Sequence, residues 1–278
     1  MPAGDCRHAD ELVATLLSPY AIMLGHMKFS ANLGFLWADR PLPEAIRAAK
    51  AAGFDAVECH WPYAVPAADV KAALDETGLK MIGLNTSRGD TAAGENGLSA
   101  LPGRESDARA AIDQALEYAR TVGAAGVHVM AGKASGVEAN KSFVANLSYA
   151  CDAAAKHGMI ILIEPLNRID APGYFLSTTD QAQQIIASVG RANLKLMFDC
   201  YHVGRTEGDI TTRLAALLNI VGHIQFASVP DRGAPDHGEI DYKYIFAAID
   251  KLGWPKPLGA EYKPGGDTDK TLGWMKQS

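Results

Sequence analysis

Four polar residues each close an apolar run: Glu164 after Ile160-Ile161-Leu162-Ile163, Asp199 after Leu194-Lys195-Leu196-Met197-Phe198, Gln225 after His223-Ile224, and Glu261 after Leu258-Gly259-Ala260. Successive members are 35, 26 and 36 residues apart, each about one βα unit. If strands bring them together, three carboxylates would meet in a dry site, where repulsion and burial favour the protonated forms unless positive charge is present. A divalent cation supplies that charge. Carboxylate and carboxamide oxygens suit Mg²⁺ or Mn²⁺, whereas zinc would more naturally recruit His or Cys. A single strand-end acid is equally well explained by a salt bridge at the rim, but four at successive strands are not.

Other polar residues fall around these four. His202 lies three positions past Asp199, where it can hold a ligand carboxylate or a substrate oxygen. Arg232 follows the His223 strand, and its guanidinium fork suits the carboxylate of an anionic substrate. Asp170, His60 and Lys263 end or follow strands and are weaker substrate-binding candidates, each as readily a rim residue. His128 sits inside an apolar strand and reads as a packed interior histidine.

The elements that must position these groups alternate regularly. Eight strands are predicted, over Phe29–Leu33, Ala56–His60, Lys80–Asn85, Gly126–Met130, Ile160–Leu166, Leu194–Cys200, His223–Ala227 and Leu258–Tyr262. Helices are predicted between them over Pro43–Ala52, Ala67–Thr77, Glu105–Val122, Lys141–His157, Thr179–Val189, Ile210–Leu218 and Tyr242–Leu252, several followed by a glycine where a left-handed cap is wanted. Repeated βα units imply a parallel sheet. The turn after the first strand, Ser30-Ala31-Asn32-Leu33-Gly34-Phe35, lacks the glycine-rich phosphate fingerprint of a doubly wound sheet, which favours a closed α/β barrel, the (β/α)8 TIM barrel. Its active site would lie at the C-terminal ends of the strands, where the four residues stand. Ser87–Gly103, rich in Gly, Ala and Ser, suits either a lid or a passive loop.

Composition narrows the function. With 48% hydrophobic and 21% charged residues over 278 positions, the chain has the makeup of a globular protein with a large core. A formal charge of -6 and the lack of a basic run argue against a nucleic-acid partner. No apolar run reaches the roughly 20 residues needed to cross a bilayer, so no membrane role is expected. Cys6, Cys59, Cys151 and Cys200 form no paired motif and read as reduced thiols of a cytoplasmic protein. Residues 1–27 make a poor signal peptide and are set apart as an N-terminal extension, leaving 28–278 as one catalytic domain.

Taken together, these residues resemble the sugar-isomerase-like, or xylose-isomerase-like, barrels, and most closely the hydroxypyruvate isomerase group. The resemblance rests on Glu164-Pro165-Leu166-Asn167-Arg168 with Pro172-Gly173-Tyr174, Phe198-Asp199-Cys200-Tyr201-His202, His223-Ile224-Gln225, Asp231-Arg232-Gly233-Ala234-Pro235 with Gly238-Glu239-Ile240-Asp241-Tyr242, and Gly259-Ala260-Glu261-Tyr262-Lys263-Pro264. It implies that Glu164 and Glu261 are the acid/base pair and that they hold the metal with Asp199 and Gln225. Ketose 3-epimerases are similar but usually have His where this chain has Gln225. Their pattern implies substrate roles for Asp170, His202 and Arg232. The expected activity is interconversion of hydroxypyruvate and tartronate semialdehyde by metal-assisted proton transfer through a cis-enediolate. Alternatives are 2-oxo-tetronate isomerisation, ketose 3-epimerisation, or a sugar-acid-binding barrel without turnover. A small anionic hydroxy-carbonyl substrate and a homo-oligomer complete the expectation.

Overall fold

The computed structural model describes residues 27–276. The predicted N-terminal extension therefore lies, apart from Met27, outside the described residues. Among the described residues, nine parallel strands form one sheet: β1 (Phe29–Asn32), β2 (Ala56–Glu58), β3 (Lys80–Met81), β4 (Gly83–Asn85), β5 (Gly126–His128), β6 (Ile160–Ile163), β7 (Leu194–Asp199), β8 (Val221–Phe226) and β9 (Leu258–Ala260). Their order, β3-β2-β1-β9-β8-β7-β6-β5-β4, leaves β3 and β4 at the two ends.

Those two ends are halves of one predicted strand, interrupted at Ile82. Ile82 N donates to Val57 O at 2.7 Å and Cys59 N donates to Gly83 O at 3.2 Å, which ties this position to β2. On the other side Ala125 N donates to Met81 O at 3.1 Å, and Gly83 pairs with Gly126 of β5. The sheet thus closes through a broken third strand, and the barrel has the eight positions expected from the sequence.

Parallel strands covered on both faces are buried along their whole length and predominantly apolar. All six residues of β8 are buried accordingly. Seven longer helices form the outer layer: α1 (Leu42–Ala51), α2 (Ala67–Thr77), α3 (Glu105–Val122), α4 (Gly136–Ala155), α5 (Thr179–Val189), α7 (Ile210–Leu217) and α8 (Tyr242–Lys251). α3 turns Ala108, Ala111, Ala115 and Ala119 inward, and these small side chains let it lie close to the strands. Three of the expected glycine caps, Gly78, Gly123 and Gly190, take left-handed φ values of 71°, 74° and 63°, which a side chain at Cβ disfavours.

Two features depart from the sequence reading. α4 begins at Gly136, five residues before the predicted start, because Ala139 is buried although Gly136 and Val137 are poor helix formers. A short helix, α6 (Cys200–Thr206), follows directly on β7. After β9 the chain closes with a 3₁₀ run over Thr268–Lys276. Its Trp274 packs edge-to-face on Phe29 and Phe226, with ring centroids 4.9 and 5.3 Å away, and so covers the outer face of β1 and β8.

Candidate active site

Glu164, Asp199 and Glu261 come together at the C-terminal mouth of the barrel. Each offers a ligand atom within 4.8 Å of the others and of His202, and all four residues are buried. Asp199 has two jobs. Its Oδ1 accepts from Tyr201 N at 2.8 Å and so caps α6, which leaves Oδ2 for the site. Gln225 stands next to Asp199 in the β7–β8 register and next to Gly259 in the β8–β9 register. It lines an interior cavity of about 10 Å³ with Glu58, His128 and His223, space on the order of one water.

The mouth above is a cavity of about 150 Å³ whose walls include Glu164, Glu261, His202, Arg232, Asp170 and His60. Six of the seven predicted substrate and acid/base groups therefore share one space. Lys263 does not. Its side chain is exposed, and its part is structural: its backbone N–H donates to Arg232 O at 2.7 Å. Asp170 accepts from Tyr201 Oη at 2.6 Å and from Asn167 Nδ2 at 3.0 Å. Burial pushes its carboxyl up, but these donors and Arg205 hold it below the usual range.

Glu261 is the most heavily partnered acid. Oε1 accepts from Asn32 Nδ2 at 3.0 Å and meets His60 Nε2 at 2.8 Å, while Oε2 accepts from Arg232 Nη2 at 2.5 Å. Burial works against the charged form, but Arg232 and His60 outweigh it and hold Glu261 well below the carboxylate range. Arg232 reaches Glu261 from a backbone at φ 58°, a region that costs a side chain energy. Its guanidinium is stacked between Phe35 and Tyr201, 4.9 and 5.0 Å from their ring centres. Gly34 makes room for His60: a Cβ there would stand 2.1 Å from His60 Nδ1.

Glu164 has no hydrogen-bond partner among the described residues. Burial, then the charges of Glu261 and Asp199, raise its carboxyl well above normal. Asp199 is pushed up to about 7 by burial and by Glu261, against the pull of Arg232. Glu164 Oε1, Asp199 Oδ2 and Gln225 Oε1 are all buried without a hydrogen-bond partner. Orphaned buried oxygens are costly, and here three from adjacent strands share the deficit. A divalent cation fits this donor set, with Glu164, Asp199, Gln225 and Glu261 as the residues that would hold it.

His202 is the competing ligand, and its hydrogen bonds argue for a different role. Nδ1 accepts from Asn167 N at 3.0 Å. Burial, reinforced by Arg232, lowers the ring to about 3, so it is neutral and its one proton sits on Nε2. That N–H lies 3.7 Å from Glu164 Oε1 and 3.6 Å from Asp199 Oδ2, as a donor to the site and not a lone pair for a metal.

Sequence reasoning missed the interior pair Glu58–His223, whose Oε2 and Nε2 are 2.6 Å apart. His128 was read as a packed interior residue, and it is 98% buried, but it also lines the mouth, with Nδ1 3.7 Å from Glu164 Oε2. Its place at the end of β5, aligned in register with Asn85 and Leu162, was the available signal.

Comparison with known proteins gives the family. The family model described as "Xylose isomerase-like TIM barrel" matches residues 46–278. The chain belongs to this family. It is 45% identical over 253 residues to a 2-oxo-tetronate isomerase of Cupriavidus necator, covering 90% of this chain and 97% of that one. It is 36% identical over 253 residues to the hydroxypyruvate isomerase of Escherichia coli, covering 90% and 98%. A crystal structure from Brucella melitensis titled as an AP endonuclease of family 2 superposes with a TM-score of 0.87 at 36% identity, covering 90% and 98%. Among the described residues of this xylose isomerase-like barrel, no helix is long and apolar enough to cross a membrane.

Proposed function

We propose that this xylose isomerase-like barrel is a divalent-metal-dependent isomerase of small 2-oxo hydroxy acids, with hydroxypyruvate or a 2-oxo-tetronate as substrate. The observation that carries the reading is the set of three unpartnered buried oxygens, on Glu164, Asp199 and Gln225, with Glu164 and Asp199 within 4.8 Å of a charged Glu261 and with Glu164 and Glu261 lining the mouth cavity. At about 150 Å³ the cavity is below the roughly 300–1,000 Å³ of drug-sized pockets, which favours a metabolite of few carbons. The names of the relatives from Cupriavidus necator and Escherichia coli support the same class of substrate.

Mg²⁺ or Mn²⁺ would polarise the substrate carbonyl and so acidify the neighbouring C–H. The protein's own residues divide the remaining work. Glu164, whose carboxylate receives no hydrogen bond among the described residues, takes the proton from the hydroxymethyl carbon of hydroxypyruvate, giving a cis-enediolate. It returns a proton to the adjacent carbon, while the hydroxyl proton passes between the two oxygens, and tartronate semialdehyde results. Glu261, held charged by Asn32, His60 and Arg232, keeps its position and charge through the cycle. His202 Nε2–H is a fixed donor for a substrate oxygen, and such preoriented donors act where charge develops.

The Brucella melitensis structure's name brings a second reading, cleavage of abasic DNA. The net charge of -6 and the commitment of Arg232 to Glu261 speak against phosphate-backbone binding. Purified protein assayed on hydroxypyruvate, 2-oxo-tetronates, free ketoses and an abasic duplex, with and without chelator, separates these readings. Chelator-sensitive turnover of the oxo-acids is expected. Turnover of ketoses alone, or strand cleavage alone, would replace the proposal.

A further inference from the structure

An anionic substrate needs a cation that the protein has not already neutralised. Arg232 is occupied by Glu261 at 2.5 Å, and Arg205 is shared among Asp170, Tyr201 and Pro230 O. The β4 loop offers a different arrangement. Arg88 has no carboxylate partner among the described residues, and its guanidinium lies 3.9 Å over the ring of Trp61, a wall of the mouth cavity. Trp61 is itself locked, because Nε1 donates to Thr86 O at 3.1 Å. Two more polar walls are Asn85, the last residue of β4, and Asn96 of the loop, whose carboxamides have no hydrogen-bond partner among the described residues.

The loop holds these groups in place. Gly97 N donates to Arg88 O at 2.9 Å, and Ala100 N donates to Ala131 O at 2.7 Å. Gly97, at φ 109°, passes so close to β5's continuation that a Cβ would stand 2.7 Å from Gly132 N and from Met130 O. The segment on both sides of Asn96 is therefore tied to its neighbours. Asn85 and Asn96 give the cavity an unpaired polar edge, and Arg88, stacked on the Trp61 wall, places an unpaired cation beside it, whereas the edge around Glu261 has its charges paired.

We propose that Arg88, with Asn85 and Asn96, is the specificity site that receives the substrate carboxylate and so selects sugar acids over neutral ketoses. The inference rests on the oxo-acid isomerase reading and adds the residues that recognise the acid. In an α-oxo acid the carboxylate is bonded to the carbonyl carbon, so it must leave the reacting centre at the carbonyl end and find a partner on a neighbouring wall. A guanidinium stacked on an indole keeps its fork free for a bidentate carboxylate.

The test uses the full chain with Mg²⁺ and compares wild type, Arg88→Gln, Arg88→Lys and, as a charge control, Lys133→Gln, which alters an exposed lysine outside the cavity. In Arg88→Gln the KM for the oxo-acid should rise roughly 10- to 100-fold while kcat stays within about threefold, as expected for loss of one charge-assisted contact made equally in ground and transition states. Arg88→Lys should recover part of the loss and Lys133→Gln should show none. Binding of tartronate, an unreactive hydroxy-diacid, measured by calorimetry, should weaken in the same order. Wild-type KM and tartronate affinity in Arg88→Gln would overturn the assignment. If wild type turns over none of the acids, the isomerase reading fails, and the tartronate series still decides whether Arg88 receives a carboxylate.

Discussion

Glu261, at the end of β9, contacts donors from three other elements, whereas Glu164, at the end of β6, receives no hydrogen bond among the described residues. The two side chains are equally buried, and their ligand oxygens lie within 4.8 Å of each other. Burial alone would push both carboxyls up. Arg232 and His60 reverse that for Glu261, and the negative charge so stabilised raises Glu164 further. One side of the site is thus a permanent anion with its counter-ions built in, and the other is an acid whose charge depends on what binds. The contrast separates a group that holds from a group that moves a proton.

The sharpest way to break this comparison is Glu164→Gln. Losing the proton-transferring group should lower kcat by about 10²–10⁴-fold with the fold intact by circular dichroism. Full activity would end the assignment. Glu261→Gln should differ in kind. Besides lost turnover, it strands the largely buried guanidinium of Arg232 without its closest carboxylate, and should destabilise the metal-free protein by about 3–5 kcal/mol in chelator-containing denaturation. Glu164→Gln should not destabilise the metal-free protein, since it removes an unpaired acid. If both variants lose the same stability, the two environments are not as distinct as the contacts say.

Asp199→Asn sharpens the contrast through pH. Asp199 rises from an ordinary 3.8 to about 7 in the fold, so between those values the folded state binds more protons than the unfolded one. The cost of its charge is full above pH 7 and absent below about 3.8. The variant should therefore stabilise the metal-free protein by on the order of 2–4 kcal/mol at pH 8, with the gain vanishing as pH falls toward 4. Mg²⁺ or Mn²⁺ should offset most of that gain, because binding at 100 times Kd adds about 2.7 kcal/mol to wild type. A stability gain that ignores pH would sink this account.

The smallest expected effect is at Gly34→Ala. The added methyl must push His60 off Glu261 Oε1, removing one hydrogen bond to a charged group, about 1.5–3 kcal/mol. A modest drop in kcat/KM with unchanged metal affinity is the outcome to look for.

Much of this site was legible in the chain because a parallel barrel turns linear position into spatial position. Apolar runs ending in Glu164, Asp199, Gln225 and Glu261 fall on successive strands, and strand ends converge by construction. His128 was harder, since an apolar strand hides whether a residue near its end faces the core or the mouth. The helix α6 was missed because Cys200–Thr206 is too short to show periodicity, although Asp199 caps it. Lys263 fails as a substrate contact because strand-end position does not determine the direction of a residue two places further on.

The amino-acid order by itself determined the barrel, the strand ends that meet and the acid-rich character of the mouth, since all three follow from short-range patterning repeated along the chain. It did not determine which glutamate is charged. That depends on Asn32 and His60, 229 and 201 positions from Glu261, and on a loop backbone that delivers Arg232 to the same oxygens. Only closure of the sheet brings these groups within hydrogen-bond range, and at such range in a buried site they outweigh the cost of desolvation.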